Sequence, residues 1–274
     1  HTGPESVAPM FGGAQPVGPS VTVTPVWGWA SRELSIDELP GIARLYGDAA
    51  LRAREAGYDG VELHGAHCYN LLGSFLSPHR NKRTDGYSAF KAETRTRLIA
   101  EVMGEIKSRA GADFPVTFSI SGYERVPGGR AIDDTQRIAG DLVAAGIVPF
   151  RVSAGISYSL VTMTTSRTED GNAHNVPQAD AIKNVVDVPV MLVGRLHDPE
   201  VAEKILENGQ ADLIAMARPL LADPYFPHKV ITSQPSRIRR CISCENCIDS
   251  MQTHDSLGCA VNPFAGREFE LEVK

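Results

Sequence analysis

Several features are missing from this chain of 274 residues. No apolar run approaches the ~20 residues that a membrane-spanning helix needs. There is no Lys/Arg run, and the formal net charge is −6, which excludes the basic footprint of nucleic-acid binders and of proteins held on anionic membranes. No G-x-G-x-x-G occurs, so the phosphate loop typical of doubly wound dinucleotide-binding sheets is lacking. The opening HTGPESVAPMFGG shows neither a basic n-region nor an apolar h-region, so no secretory signal is visible and a cytoplasmic location is expected. Hydrophobic content of 42% and charged content of 22% are those of an ordinary globular protein.

Cysteine is also scarce, with five in all, but four fall close together: Cys241, Cys244, Cys247 and Cys259. They read C-x2-C-x2-C-x11-C. Thiols at every third position can converge, and the fourth returns after a loop. This suits a four-thiolate site better than disulfides, with an iron–sulfur cluster or a structural zinc as the two occupants. A clustered set of this kind fits a reducing compartment. Cys68 stands apart and reads as a buried free thiol.

The body of the chain repeats a rhythm of helix, glycine and strand. Ser35-Ile36-Asp37-Glu38 reads as a capping box opening a helix whose apolar face is Ile36, Leu39, Ala43, Tyr46, Ala50 and Ala53. That helix ends at Gly57, and a strand is expected from Gly60 to Leu63. Further helix–strand pairs place strands at Pro115–Ser121, Phe150–Ser153, Val188–Val193 and Leu213–Met216. The strands are short and mostly apolar, as expected when both faces are buried. Alternation of this length predicts parallel βαβ units. Five successive units exceed half of a (β/α)8 barrel, and a barrel places its chemistry where strands end and loops begin.

After the first of these strands comes His64-Gly65-Ala66-His67-Cys68-Tyr69. Neutral imidazoles can donate hydrogen bonds to an oxyanion, and a phenol can supply a proton. The plainer alternative is a group of polar residues on the rim. Gly194-Arg195 and Ala217-Arg218 follow the last two strands. Small residues there let backbone N–H groups approach a phosphate, and Arg pairs with it through a fork. The alternative is that both arginines cap the sheet.

Together these residues resemble the Old Yellow Enzyme family of flavin oxidoreductases. The likeness rests on AGYDGVELHGAHCY (Ala56–Tyr69), FLSPHRNKRTDGY (Phe75–Tyr87), VGRLHDPEVAEKIL (Val193–Leu206) and ADLIAMARPLLADP (Ala211–Pro224). The ending CISCENCIDS…GCAVNP is similar to the iron–sulfur subgroup, which includes dienoyl-CoA reductases and trimethylamine-type dehydrogenases. The resemblance implies an α/β fold with the last five or so βα units of a TIM barrel over residues 1–236, followed by a cluster-binding segment over 237–274. It implies FMN as cofactor, with His64 and His67 holding the substrate and Tyr69 donating a proton. Ser119, Gly194, Arg195, Ala217 and Arg218 would contact the flavin. Cys241, Cys244, Cys247 and Cys259 would hold a 4Fe-4S cluster. The implied partners are a small-molecule substrate and a redox partner or nicotinamide cofactor, with no nucleic acid and no membrane, and a homo-oligomer is compatible with this.

Three departures from the family pattern stand out. Aligning P-V-x-x-R-x-S onto Pro115–Ser121 puts Ser119 where the family has an arginine beside the flavin. The turn Tyr87-Ser88-Ala89-Phe90 replaces Y-G-G-S. No acidic or histidine partner is evident in Ser153-Ala154-Gly155-Ile156-Ser157-Tyr158. A whole family member has three further βα units before the position of His1, and a dinucleotide-binding region for FAD or NAD(P)H after Lys274, so a fragment is expected. Two functions remain open. One is an oxidoreductase that demethylates an N-methylated amine or reduces an enoyl or dienoyl compound. The other is an inactive barrel with a structural zinc, acting as a scaffold or interaction module.

Overall fold

The computed structural model describes residues 3–6, 8–23, 28–156, 171–252 and 256–271. Two short strands, β1 (Val17–Gly18) and β2 (Arg32–Glu33), pair in parallel near the start. This leading segment is tied to the body by the ion pair of Glu5 with Arg80, both buried. The expected helix start is split. Ile36–Glu38 forms a 3-10 turn, and the helix α1 runs Leu39–Glu55. The Ser35 N–H donates to Glu38 Oε2 at 2.8 Å, so the box closes on the turn. Ile36, expected on the apolar face, is 52% exposed because the turn rotates it away from the helix stripe.

The chain then runs β3 (Val61–Gly65), α2 (Leu71–Leu76), α3 (Ala92–Arg95), α4 (Arg97–Ala110), β4 (Val116–Ser121), α5 (Ile132–Ala145) and β5 (Phe150–Ser153). It continues through α6 (Val176–Lys183), β6 (Val190–Val193), α7 (Pro199–Glu207), β7 (Leu213–Ala215), α8 (Arg218–Ala222), α9 (Phe226–Ile231) and α10 (Asn246–Gln252). Strands β3 to β7 form one five-stranded sheet in strictly sequential order, every neighbour parallel. A doubly wound sheet reverses its order at a switch point; this one does not. Sequential parallel crossovers of one hand put their helices on one side of the sheet.

The two faces of the sheet differ. On the helix side, Leu63, Val116, Phe118, Ile120, Phe150, Val152, Val190 and Leu192 are buried. They form one core with Leu98, Ile99, Val102, Met103 and Ile106 of α4 and Leu39, Ala43 and Ala50 of α1. Strand residues alternate faces, and on the other side stand Glu62, His64, Ser119, Ser121, Arg151 and Ser153. The expectation that both strand faces are apolar therefore holds in β6 (Val190–Val193), but in β3, β4 and β5 only on the helix side. The inner side of β3, β4 and β5 is polar. Gly65 at the end of β3 allows this close fit, because a Cβ there would lie 2.2 Å from the Phe118 ring. Among the described residues, no helix is long and apolar enough to cross a membrane.

Candidate functional site

The polar inner face leads to the C-terminal ends of the strands. Beyond β3 the backbone makes a sharp reversal, with His67 at φ 67° and Cys68 at φ 57°. Two successive non-glycine residues in the left-handed region cost roughly 1–2 kcal/mol each, so neighbours must hold them. The His67 N–H donates to Ser121 Oγ at 2.9 Å, and Ser121 Oγ donates to the Gly155 carbonyl at 2.9 Å. The Cys68 thiol donates to Glu124 Oε1 at 3.2 Å. Asn70 then caps α2: its side chain accepts from Gly73 N–H at 2.7 Å and donates to the Ala66 carbonyl at 2.6 Å.

This reversal gathers the three candidate catalytic side chains. His64 Nε2 and the Tyr69 hydroxyl are 2.6 Å apart. The His67 and Tyr69 rings lie nearly parallel, at 7°, with centroids 6.1 Å apart. Burial, reinforced by the Arg151 charge, lowers the His64 pKa. Burial lowers that of His67 to about 3, with His64 adding to the effect. Burial raises the Tyr69 pKa. At neutral pH the set is therefore two neutral imidazoles and a protonated phenol; the single N–H of His67 goes from Nδ1 to the Gly155 carbonyl at 3.3 Å, so His64 and Tyr69 are the donors left for a substrate oxygen. His64 Nδ1 and Ser119 Oγ are buried and have no hydrogen-bond partner among the described residues, which leaves two polar atoms on the inner face available to a bound group.

His67 also makes stability pH-dependent. Its folded pKa lies below the unfolded value near 6.5, so between those values the unfolded chain binds the extra proton and stability rises with pH. The contribution is complete above pH ~6.5 and is lost as pH falls toward 3. Urea unfolding at pH 5 should give a free energy about 2 kcal/mol lower on this account than at pH 7. His67→Asn should remove about that much of the difference, and an unchanged pH dependence would contradict the assignment.

Under the loop lies a second buried group. Glu124 and Arg130 are both fully buried, with Arg130 Nη2 3.8 Å from Glu124 Oε1. Glu124 Oε2 accepts from Ser77 Oγ at 2.7 Å and from the Arg130 backbone N–H at 2.7 Å. Arg130 donates in turn to Thr135 Oγ1 at 2.9 Å and to the Ser121 carbonyl at 2.6 Å. This network supports both the strained reversal and Ser121.

A cavity of about 250 Å³ sits at the ends of β5, β6 and β7. His67, Gly194, Arg195, Ala217, Arg218 and Cys241 all line it, so six of the residues singled out in the sequence meet there. Gly194 has φ 133°, and a Cβ on it would lie 2.6 Å from Asn175 Nδ2. The position therefore needs glycine and leaves backbone open to the cavity. Arg195 follows at φ 49°. His64, Tyr69 and Ser119 are not in this lining. His64 lines a separate cavity of about 320 Å³ with Glu62 and Asn70 at the β3 edge.

The four clustered cysteines ring a third, small cavity of about 20 Å³ together with Arg218 and Leu221. Ser243 and Glu245, on either side of Cys244, have φ of 56° and 64°. The Ser243 N–H points to Cys241 Sγ at 3.4 Å. Burial raises the Cys247 thiol pKa, and the Arg218 charge opposes it. Among the described residues, no group of three or more His, Cys, Asp or Glu is drawn close enough to hold a metal ion. The fold thus collects the four thiols around one hollow without closing them on a point. The four-thiolate donor set fits an iron–sulfur cluster or a zinc ion alike.

Sequence reasoning missed Arg151, whose chemistry reaches all three candidate catalytic residues. The available signal was a guanidinium inside the otherwise small and apolar strand Phe150-Arg151-Val152-Ser153. It also missed Glu124 and Arg130, whose burial is set by tertiary packing. Ser157 and Tyr158, searched for an acidic partner, lie outside the described residues.

Comparison with known proteins adds to this geometry. A family profile described as NADH:flavin oxidoreductase / NADH oxidase matches residues 4–236. The NADH oxidase of Thermoanaerobacter brockii is 42% identical over 271 residues, covering 98% of this chain and 41% of the relative. The cinnamate reductase of Clostridium sporogenes is 36% identical over 262 residues, covering 90% of this chain and 39% of the relative. A 2-naphthoyl-CoA reductase solved with 2-naphthoyl-CoA superposes with a TM-score of 0.91 at 29% identity, over 98% of this chain and 43% of that one. The chain spans about two-fifths of the length of these relatives.

Proposed function

The chain belongs to the NADH:flavin oxidoreductase / NADH oxidase family, and on that premise we propose that it is the flavin- and cluster-bearing part of an oxidoreductase that reduces a conjugated carbonyl compound. Residues 1–236 would be the last five βα units of a TIM barrel, and 237–274 a 4Fe-4S segment. The observation that carries this reading is the lining shared by the 250 Å³ cavity and the thiol-ringed hollow. Arg218 and Cys241 border both the 250 Å³ cavity and the thiol-ringed hollow. A cofactor phosphate at the first and a cluster at the second would be neighbours.

Gly194, Arg195, Ala217 and Arg218 would hold the FMN phosphate end, and Ser119 would offer its unpartnered hydroxyl to the ring. Bound FMN supplies two-electron hydride chemistry, and the cluster supplies single-electron exchange. The protein's own part is orientation and proton supply. His64, kept neutral by burial, would donate from Nδ1 to the carbonyl oxygen of the substrate and draw charge toward it, while His67, whose Nδ1 donates to the Gly155 carbonyl at 3.3 Å, would position the substrate beside it. Tyr69, kept protonated, would give its proton to the substrate carbon, turning its hydroxyl from the 2.6 Å contact in which it donates to His64 Nε2. Nicotinamide is the proposed source of electrons.

The C-x2-C-x2-C spacing favours a second reading, oxidation of an N-methylated amine. Anaerobic flavin bleaching of the full-length protein separates the two. Reduction by NAD(P)H followed by reoxidation with an enoyl thioester supports the first; bleaching by an N-methyl amine alone supports the second and overturns the first. The cluster assignment has its own check. Cys247→Ser should strip most of the iron from the anaerobically prepared protein while leaving bound FMN in place. Full iron content in that variant would contradict the ligand set.

A further inference from the structure

The inner face of the sheet carries one charged pair that neither the sequence motifs nor the family assignment explains. Strand register places His64 beside Ser119 and Ser119 beside Arg151. Glu62 lies two residues before His64 on the same face. Arg151 reaches across β4 to Glu62, with Nε–Oε2 at 2.7 Å and Nη2–Oε1 at 2.5 Å. The pair is only partly screened, with side-chain exposures of 25% and 37%. Three arginines line the 250 Å³ cavity. Arg195 and Arg218 follow strand ends, but Arg151 lies within β5, deeper along the face that carries His64 and Ser119. Its charge acts on His64, His67 and Tyr69 alike.

We propose that Arg151 is the cation that sets the redox poise of the flavin ring, standing one strand over from Ser119, with Glu62 as its tunable counter-charge. This rests on the flavin reading above. Hydride addition leaves the ring system carrying one more negative charge than before, and a cation nearby favours that form. Ser119 has a buried hydroxyl with no charge to offer. Arg151 can supply it from the adjacent strand without moving the backbone. Glu62 holds the guanidinium in a bidentate fork and, by its own charge, offsets part of the effect.

The test compares Arg151→Met with Glu62→Gln, read by binding of oxidised and reduced FMN and by the flavin midpoint potential. Both substitutions break the same ion pair, so a merely structural pair moves both readouts in the same direction. The expected result is opposite shifts. Arg151→Met should weaken reduced FMN at least about tenfold more than oxidised FMN, a fall of about 30 mV for a two-electron couple. Glu62→Gln should favour reduced FMN and raise the potential. Arg151→Lys, which keeps the charge, should restore the potential to near that of the unaltered protein. Shifts in the same direction, or none, overturn the role of Arg151. Failure of the unaltered chain to bind FMN at all instead overturns the flavin reading on which the inference rests.

Discussion

Glu124→Ala should lower folding stability by about 3–5 kcal/mol. Glu124 is fully buried, and its two oxygens take hydrogen bonds from Cys68, Ser77 and the Arg130 backbone. Removing the carboxylate strands the buried Arg130 guanidinium, which among the described residues keeps Thr135 and the Ser121 carbonyl. An uncompensated buried charge is among the costliest single defects, against a total stability of roughly 5–15 kcal/mol. The same change frees Cys68 in its left-handed conformation, so the His67 reversal should loosen with it. Urea unfolding measures the loss. Pairing Glu124→Leu with Arg130→Met should recover most of it, because removing both charges leaves no unpaired ion. A loss below ~1 kcal/mol for the single change would show that water or rearrangement compensates Arg130.

In the full-length enzyme, Tyr69→Phe should slow reduction of substrate by about 10²–10⁴-fold and leave reduction of FMN by NAD(P)H nearly unchanged. The hydroxyl is the only group the substitution removes. It lies 2.6 Å from His64 Nε2 in a half-buried setting that keeps it protonated. Stopped-flow measurement of the two half-reactions separates proton delivery from electron entry. Equal slowing of both would point to disturbed flavin binding, and no slowing of either would remove Tyr69 as the acid.

Much of this architecture is legible in the sequence because it depends on local rules. The strand at Phe150–Ser153 is found where its apolar run stands, and α5 stops at Gly146, which adopts the left-handed conformation that glycine tolerates. The buried stripe of α4, from Leu98 to Ile106, follows helical period. Errors arise where tertiary context decides. Ile36 fits a helix stripe in sequence, but a 3-10 turn precedes the helix proper and exposes it. The strand runs of β3 and β5 read as apolar, yet Glu62 and Arg151 project from them, because the pair needs two strands brought together across a third. Of the site residues, His67, Gly194, Arg195, Ala217, Arg218 and Cys241 come to line one cavity. Arg151 escaped notice because its partner is 89 residues away in sequence, a distance that spacing rules do not reach.

The most direct measurement is the visible spectrum of the anaerobically purified chain, together with its flavin, iron and zinc content. The expected result is flavin bands over a broad iron–sulfur shoulder, with about one FMN and about four iron atoms per chain. A colourless protein carrying about one zinc per chain would contradict it, leaving the four cysteines as a structural staple on an inactive barrel.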